Sequence, residues 1–302
     1  MRVAFAALDH QQLLPYNHRQ LANGIHGSLV VSVAVAQLAP VLGDVEGNRS
    51  RAAEAISQAA ALRARLVVLP ELCNSGYAFA DADEAAELAE PVDGPTVRDW
   101  HELCAAQDLV VVAGLCERDP EGALRNSAVV VDSTGVRAVY RKTHLWDREK
   151  LIFKPGDAPP PVVETGAGRV GVAICYDAVF PEMLRRLALD GADIVAVPMN
   201  SPASEPPTKP VAIEIAHVMA AANANRIYVA QADRTGSERG IDWAEASVIV
   251  DVSGGVVAGP IEGEGVVLAD CDLAQARDKS WGERNDLFDD RRTDIYSKET
   301  PT

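Results

Sequence analysis

The sequence predicts an α/β architecture in which mixed sheets are covered by helices, and three observations predict it. Short runs of Val, Leu and Ile alternate along the chain with Ala-rich stretches whose apolar residues recur at helical spacing. Compact Gly-bearing turns join some of the apolar runs directly, which is hairpin chemistry. No internal period of roughly 20 to 50 residues is present, so a solenoid is excluded. Periodicity does not say how many sheets there are.

The elements follow in order. Val30, Val31, Val33 and Val35 mark a first strand over 29–37, ended by Pro40 and Gly43. A helix over 45–64 places Ala52, Ile56, Ala59 and Leu62 on one face. The apolar run Leu66-Val67-Val68-Leu69 is a short buried strand, stopped by Pro70 and followed by the loop that carries Glu71. Helices are predicted over 81–89 and 95–107, and a buried strand over 109–116. Strands over 126–132 and 136–140 form a hairpin through Ser133-Thr134-Gly135. The chain then runs through Lys142, Trp146 and Glu149 into a Pro-rich loop from Pro155 to Pro161.

The stretch Gly168 to Glu182 organises the rest. Val170, Val172 and Ile174 alternate with small residues in a strand that Cys175 ends, and Phe180-Pro181-Glu182 opens a helix, with Pro at its first position and an acid in its first turn. Cys175 is thus expected at a strand-to-helix turn, beside backbone N–H groups free to receive a developing charge. The competing reading is a buried structural cysteine, a common fate of free Cys. Further elements are predicted over 181–189 (helix), 194–197 (strand), 211–224 (helix), and 227–232, 247–252, 255–258 and 266–271 (strands).

Composition narrows the function classes. With 302 residues, 48% of them hydrophobic, and no linker-like segment, one domain over 29–275 is expected. It is preceded by a polar extension over 1–28, expected to be poorly ordered, and followed by a charged tail over 276–302. A formal net charge of −16 and the lack of a basic run argue against nucleic acid and anionic lipid as partners. No apolar run reaches the roughly 18 residues of a membrane span. Five cysteines, at 73, 104, 116, 175 and 271, form no C-x-x-C pair and no even framework, which fits a reducing cytoplasm. The six histidines show no metal-ligand spacing, so a metal site is not expected.

Three loops at strand ends therefore carry Glu71, Lys142 and Cys175. An ammonium near a thiol favours the thiolate, a carboxylate within reach can act as general base, and Lys142 together with the Tyr176 backbone N–H could face an oxyanion. His101, His144 and His217 are alternative bases for a Cys–His pair. Taken singly, Glu71 reads as a solvated loop carboxylate, Lys142 as a surface cation, and Glu149 as an ion-pair partner of Arg148 or Lys150.

Together the segments Pro70-Glu71-Leu72, Tyr140-Arg141-Lys142-Thr143-His144-Leu145 and Gly171-Val172-Ala173-Ile174-Cys175-Tyr176-Asp177 resemble, in order and spacing, the signature blocks of the nitrilase superfamily of carbon–nitrogen hydrolases. The resemblance spans about residues 30 to 295 and includes Pro155-Gly156-Asp157, Asn223-Ala224-Asn225-Arg226 and Asp290-Arg291-Arg292. It implies an α-β-β-α four-layer sandwich of two mixed sheets with helices outside. It further implies Glu71 as general base, Cys175 as nucleophile, Lys142 as the cation steadying the tetrahedral intermediate, and Glu149 as a second carboxylate positioning the substrate nitrogen, in a reaction that needs no cofactor.

Tyr176-Asp177 stand where true nitrilases carry Trp-Glu, which favours an amidase acting through a Cys thioester. Val179 stands where branches cleaving ω-amides carry Arg, so the expected substrate is a small neutral carboxamide, with Tyr77, Trp146, Val179, Met199 and Asn200 as pocket residues. Trp243-Ala244-Glu245-Ala246-Ser247 departs from the usual pattern of relatives in a nearby loop. The alternatives are an N-carbamoyl amide hydrolase, an ω-amidase or a nitrilase of the same superfamily, and a catalytically silent binding protein on the same scaffold. The resemblance also implies a homodimer or higher homo-oligomer, with the tail from about 276 at the subunit contact.

Overall fold

In the computed structural model, residues 29–203 and 211–296 are described; the 1–28 extension and the end of the charged tail lie outside them. The first sheet is built from β1 (Val30–Gln37), β2 (Leu66–Val68), β3 (Val110–Arg118), β4 (Leu124–Asp132) and β5 (Gly135–Arg141). The second contains β6 (Val162–Thr165), β7 (Gly168–Val172), β8 (Ile194–Pro198) and β9 (Tyr228–Ala232). A short hairpin, β10 (Ser237–Glu238) and β11 (Ile241–Asp242), precedes β12 (Val248–Val250) and β13 (Val256–Ala258) of that sheet. The chain then returns to the first sheet as β14 (Gly265–Asp272). The strand orders are β14-β1-β2-β3-β4-β5 and β13-β12-β9-β8-β7-β6.

Both sheets are mixed: β1, β2 and β3 run parallel to one another, as do β7, β8 and β9, while the flanking pairings are antiparallel. The parallel strands are joined by helices: α1 (Val45–Ala61) after β1; α2 (Ala82–Leu88) and α3 (Pro95–Gln107) after β2. A one-turn α4 (Glu149–Ile152) follows the first sheet's hairpin, and α5 (Pro181–Leu189) and α6 (Ile213–Asn225) serve the second sheet.

Alternation along each strand explains the layering. In β1, Val31, Val33 and Val35 face the second sheet and meet Val170, Val172, Ile194 and Ala230, while Ala34 and Ala36 face outward onto Ile56 of α1. In β8, Ile194 and Ala196 point to the inter-sheet core, and Val195 and Val197 pack beneath Leu184 and Leu187 of α5 and Val218 of α6. Two sheets face to face with helices on both outer surfaces form the expected α-β-β-α sandwich. Strands covered on both faces read as continuous apolar runs, which is why these segments lack polar alternation.

Some local expectations change. The strand expected to end at Cys175 ends at Val172. Only Ala173 N continues its ladder, to Ala196 O at 3.1 Å, before Cys175–Val179 turns as a 3-10 helix. Strand β6 lies just after the Pro-rich loop and was not expected; four residues paired on one side only leave too short a pattern to read. Among the described residues no helix is long and apolar enough to cross a membrane.

Candidate active site

Four chain segments converge at one end of the two sheets. Glu71 follows β2, where Leu69 N still bonds Val112 O and Pro70 ends the ladder. Leu72 then adopts φ 47°, turning the backbone sharply. The turn packs directly on Gly114 of β3, where an added Cβ would lie 2.4 Å from Glu71 Cα and 2.4 Å from Leu72 N. Only a residue without a side chain admits the loop at that depth.

Lys142 follows β5 and extends its pairing, with Lys142 N donating to Asn126 O at 2.8 Å. Its side chain is fully buried, with the ammonium donating to Glu71 Oε1 at 2.7 Å and to Glu149 Oε1 at 2.8 Å. Asn126 Nδ2 donates to the same Glu71 oxygen at 2.7 Å. Glu149, at the start of α4, also accepts from Tyr77 Oη at 2.6 Å and from Trp146 N at 3.1 Å. Glu71 and Lys142 are thus neither a solvated carboxylate nor a surface cation, and Glu149 pairs with Lys142 in place of Arg148 or Lys150. Glu71 Oε2 has no hydrogen-bond partner among the described residues.

Cys175 opens the 3-10 turn with φ 45°, a left-handed conformation that costs an L-residue strain. Asn200, beyond β8, ties the nucleophile candidate to Glu71: its carbonyl accepts from Cys175 Sγ at 3.8 Å and its Nδ2 donates to Glu71 O at 2.7 Å. Asp177 fixes the turn from behind. Its buried carboxylate accepts from Ile174 N, from Tyr140 Oη at 2.9 Å, and from His144 N, and lies 2.7 Å from His144 Nδ1. One side chain therefore couples the Cys175 turn to the segment that carries Lys142.

The electrostatics follow from this burial. Removal from water pushes the Glu71 carboxyl up to about 7; the Lys142 ammonium opposes that shift and the Glu149 carboxylate adds to it. Burial also lowers the Lys142 ammonium's affinity for its proton, but the two carboxylates outweigh it, and the group stays charged well above the usual lysine range. Burial, then Glu71, raise the Cys175 thiol well above its ordinary value against the pull of Lys142. The sequence led to a thiolate favoured by Lys142; desolvation and two neighbouring carboxylates reverse that balance, and the resting sulfur carries its proton. Cys73, Cys104, Cys116 and Cys271 are buried, each pushed up to about 12 chiefly by burial. Cys175 is the partly exposed one.

Cys175 opens into a cavity of about 340 Å³ whose walls include Trp146, Val179, Met199 and Asn200, four of the five pocket residues expected from sequence. The fifth, Tyr77, lies apart from it. Together with Trp146 and Glu149, Tyr77 lines a neighbouring cavity of about 570 Å³, and its hydroxyl is committed to Glu149. Tyr176, Ile213, Glu214 and His217 complete much of the first cavity and were not singled out as its walls. Asn126 was also missed, although a buried amide in a strand otherwise rich in Ala and Val is a readable signal. The α6 residues carry no such signal. His101 bonds Ser133 O far from this cluster, His144 is held by Asp177, and His217 stands at the cavity wall.

Comparison with known proteins finds similarity along most of the chain. A profile of the carbon-nitrogen hydrolase family matches residues 32–279. The chain is 39% identical over 269 residues to a nitrilase of Pyrococcus abyssi, covering 88% of this chain and 99% of that one. It is 34% identical over 273 residues to an (R)-stereoselective amidase of a Pseudomonas species, covering 89% and 94%. Among solved structures, an amidase from Nesterenkonia sp. superposes with a TM-score of 0.72 at 26% identity, covering 90% of this chain and 97% of that chain. A variant of the Nesterenkonia enzyme shows covalent addition of the acetamide moiety of fluoroacetamide at its active-site cysteine.

Proposed function

The chain belongs to the carbon–nitrogen hydrolase family of the nitrilase superfamily, and from that premise we propose that it is an amidase that converts a small carboxamide to acid and ammonia through a thioester on Cys175. One observation carries the assignment: Asn200 links the partly exposed Cys175 thiol to the Glu71 backbone, and Glu71 keeps one carboxylate oxygen unpartnered while Lys142 and Asn126 hold the other.

In this reading the ionised Glu71 accepts the thiol proton as Cys175 Sγ attacks the amide carbon. Lys142 and the Tyr176 N–H, which precedes the first hydrogen bond of its 3-10 turn, receive the oxyanion. Collapse of the tetrahedral intermediate breaks the C–N bond, and the proton held by Glu71 leaves with ammonia. Glu71 then takes a proton from water, whose hydroxyl oxygen attacks the thioester. The acid departs and the thiol is reprotonated. Glu149, anchored by Lys142 and Tyr77, positions the amide nitrogen. A thiol that rests protonated requires a base in the same step, which is the part Glu71 fills.

Val179 in the cavity wall offers no cation to a substrate carboxylate, which supports a simple carboxamide over an ω-amide of a diacid. N-carbamoyl compounds and nitriles need the same three groups, so a panel of simple amides, ω-amides, N-carbamoyl amino acids and nitriles scored by ammonia release tests the assignment. Preferential turnover of simple amides supports it; preferential turnover of nitriles or carbamoyl compounds overturns it. Failure of iodoacetamide to label Cys175 selectively would instead favour a silent binding protein.

The five free cysteines support a reducing compartment such as the cytoplasm. For assembly, we extend the proposal to a homodimer or higher homo-oligomer contacting through residues from about 276, which light scattering before and after truncation there would test.

A further inference from the structure

From the wall of the Cys175 cavity we infer that the amide substrate carries a protonated amine on its acyl side and that Glu214 is the residue that selects for it. This rests on the amidase reading above, names the substrate class for that same site, and puts a cationic acyl group in place of the neutral one expected from sequence.

Glu214 sits in the first turn of α6 and lines the same cavity as Cys175. Among the described residues of that wall it is the one carboxylate, and neither Lys nor Arg accompanies it; the other titratable side chains there are the Cys175 thiol, the Tyr176 phenol and His217, three residues on along the same helix. Glu214 makes no hydrogen bond or ion pair with any described residue, in contrast to Glu71, Glu149, Asp177 and Asp193, each of which is engaged by a donor. Apart from the Cys175 thiol and the neutral polar Asn200 and Ser201, the rest of the wall is apolar or aromatic. Trp146 and Tyr176 stand edge to face, with ring centroids 4.8 Å apart, and Val179 and Ile213 supply aliphatic surface.

Such a cavity discriminates by charge. The buried cluster behind Cys175 contributes two carboxylates against one ammonium, so when Glu71 is ionised, as the proposed reaction requires, that end is net negative. Glu214 makes the other wall negative as well. A substrate carboxylate entering this space would be desolvated between like charges, without the bidentate guanidinium such a group needs. A neutral alkyl chain would fill the apolar wall and leave Glu214 without use. An alkylammonium satisfies both: its methylenes lie along Val179 and Ile213, its charge meets the Glu214 carboxylate, and the aromatic faces of Trp146 and Tyr176 add attraction for a cation. Hydrogen bonds to charged groups contribute about 1.5–3 kcal/mol, which converts to a preference of about tenfold to a hundredfold in kcat/KM.

The test compares ω-aminoalkanamides of graded length with the alkanamides in which a methyl group replaces the ammonium, and with the corresponding ω-carboxyamides, by ammonia release. The expected result is a tenfold to hundredfold higher kcat/KM for the best amine-bearing amide over its methyl isostere, with the carboxylate analogue poorest. Glu214→Gln keeps the shape and removes the charge, and should bring the amine-to-methyl ratio close to one; Glu214→Arg should move the preference to the carboxylate analogue. A wild-type ratio near one, or an unchanged ratio in Glu214→Gln, overturns the inference while leaving the amidase reading intact. Absence of ammonia release from every amide by the wild-type protein would overturn the amidase reading itself, and this inference with it.

Discussion

Lys142 and Glu71, 71 residues apart in sequence, meet at 2.7 Å with neither side chain reaching solvent, and Glu149 closes on the same ammonium at 2.8 Å. Removing one member of a buried pair strands its partners without water, and such losses run to about 3–5 kcal/mol. Lys142→Met, which preserves most of the volume, should therefore destabilise the protein by about that amount and remove nearly all turnover. Urea unfolding followed alongside ammonia release checks both. A variant that stayed within about 1 kcal/mol of wild type would show that the ammonium does not compensate the two carboxylates.

The raised Glu71 carboxyl gives a signed pH dependence. In the proposed reaction the base form is required, so kcat/KM should climb as pH rises through about 7, the value to which burial lifts this group. Asn126 stabilises the charged form, so Asn126→Ala should move that acid limb to higher pH. Stability runs the other way. Between the ordinary carboxyl value of 4.5 and about 7 the folded state holds a proton that the unfolded state has released, so Glu71's contribution falls as pH rises across that window. Glu71→Gln should flatten this part of the stability profile. Melting profiles of wild type and variant across the window would expose an error of sign.

Thiol chemistry separates Cys175 from the other four cysteines. Cys73, Cys104, Cys116 and Cys271 are buried and hold their protons up to about 12, so iodoacetamide should label Cys175 first in the native protein. Because the Cys175 thiol is also raised, the neighbouring carboxylate must assist, and Glu71→Gln should slow that labelling. Cys175→Ala should lose nearly all turnover and Cys73→Ala should keep most of it. Peptide mapping of the alkylated protein is the measurement, and the opposite pattern in the two alanine variants would move the nucleophile elsewhere.

What the sequence reveals follows the range of the interactions involved. The helix over 95–107 is legible to the residue because Pro95 starts it and Asp108, at φ 52°, ends it, both local effects. Glu71, Lys142 and Cys175 are legible as reactive residue types at strand ends, in blocks that resemble those of a known family. Their surroundings are not. Asn126 reaches Glu71 across 55 residues and Asn200 reaches it across 129, and no local pattern encodes either bond. The reversal at Cys175 has the same origin: the Lys142 ammonium is visible in sequence, whereas the burial that outweighs it is a property of the packed sheets. Glu214 sits on a helix with no marked apolar stripe, and only the fold places it in the wall of the cavity.

Gly114 tests whether backbone proximity alone sets the position of the proposed base, Glu71. Its strand runs immediately behind the Glu71 turn, and a Cβ there would stand 2.4 Å from Glu71 Cα and 2.4 Å from Leu72 N, both backbone atoms with no rotamer through which to escape. The turn must move outward, carrying the carboxylate away from Lys142 and Asn126. Overpacking of this kind costs about 1–3 kcal/mol, and a displacement of about 1 Å at a catalytic group can cost about a hundredfold in rate. Gly114→Ala should thus lower kcat far more than it raises KM, since the cavity lined by Trp146, Val179 and Ile213 is not touched. Gly166→Ala is the matching control: its added methyl would meet only the flexible end of Arg65, at 3.5 Å, and turnover should stay near wild type. If Gly114→Ala instead raised KM at constant kcat, the turn would be shaping the substrate cavity and not the base.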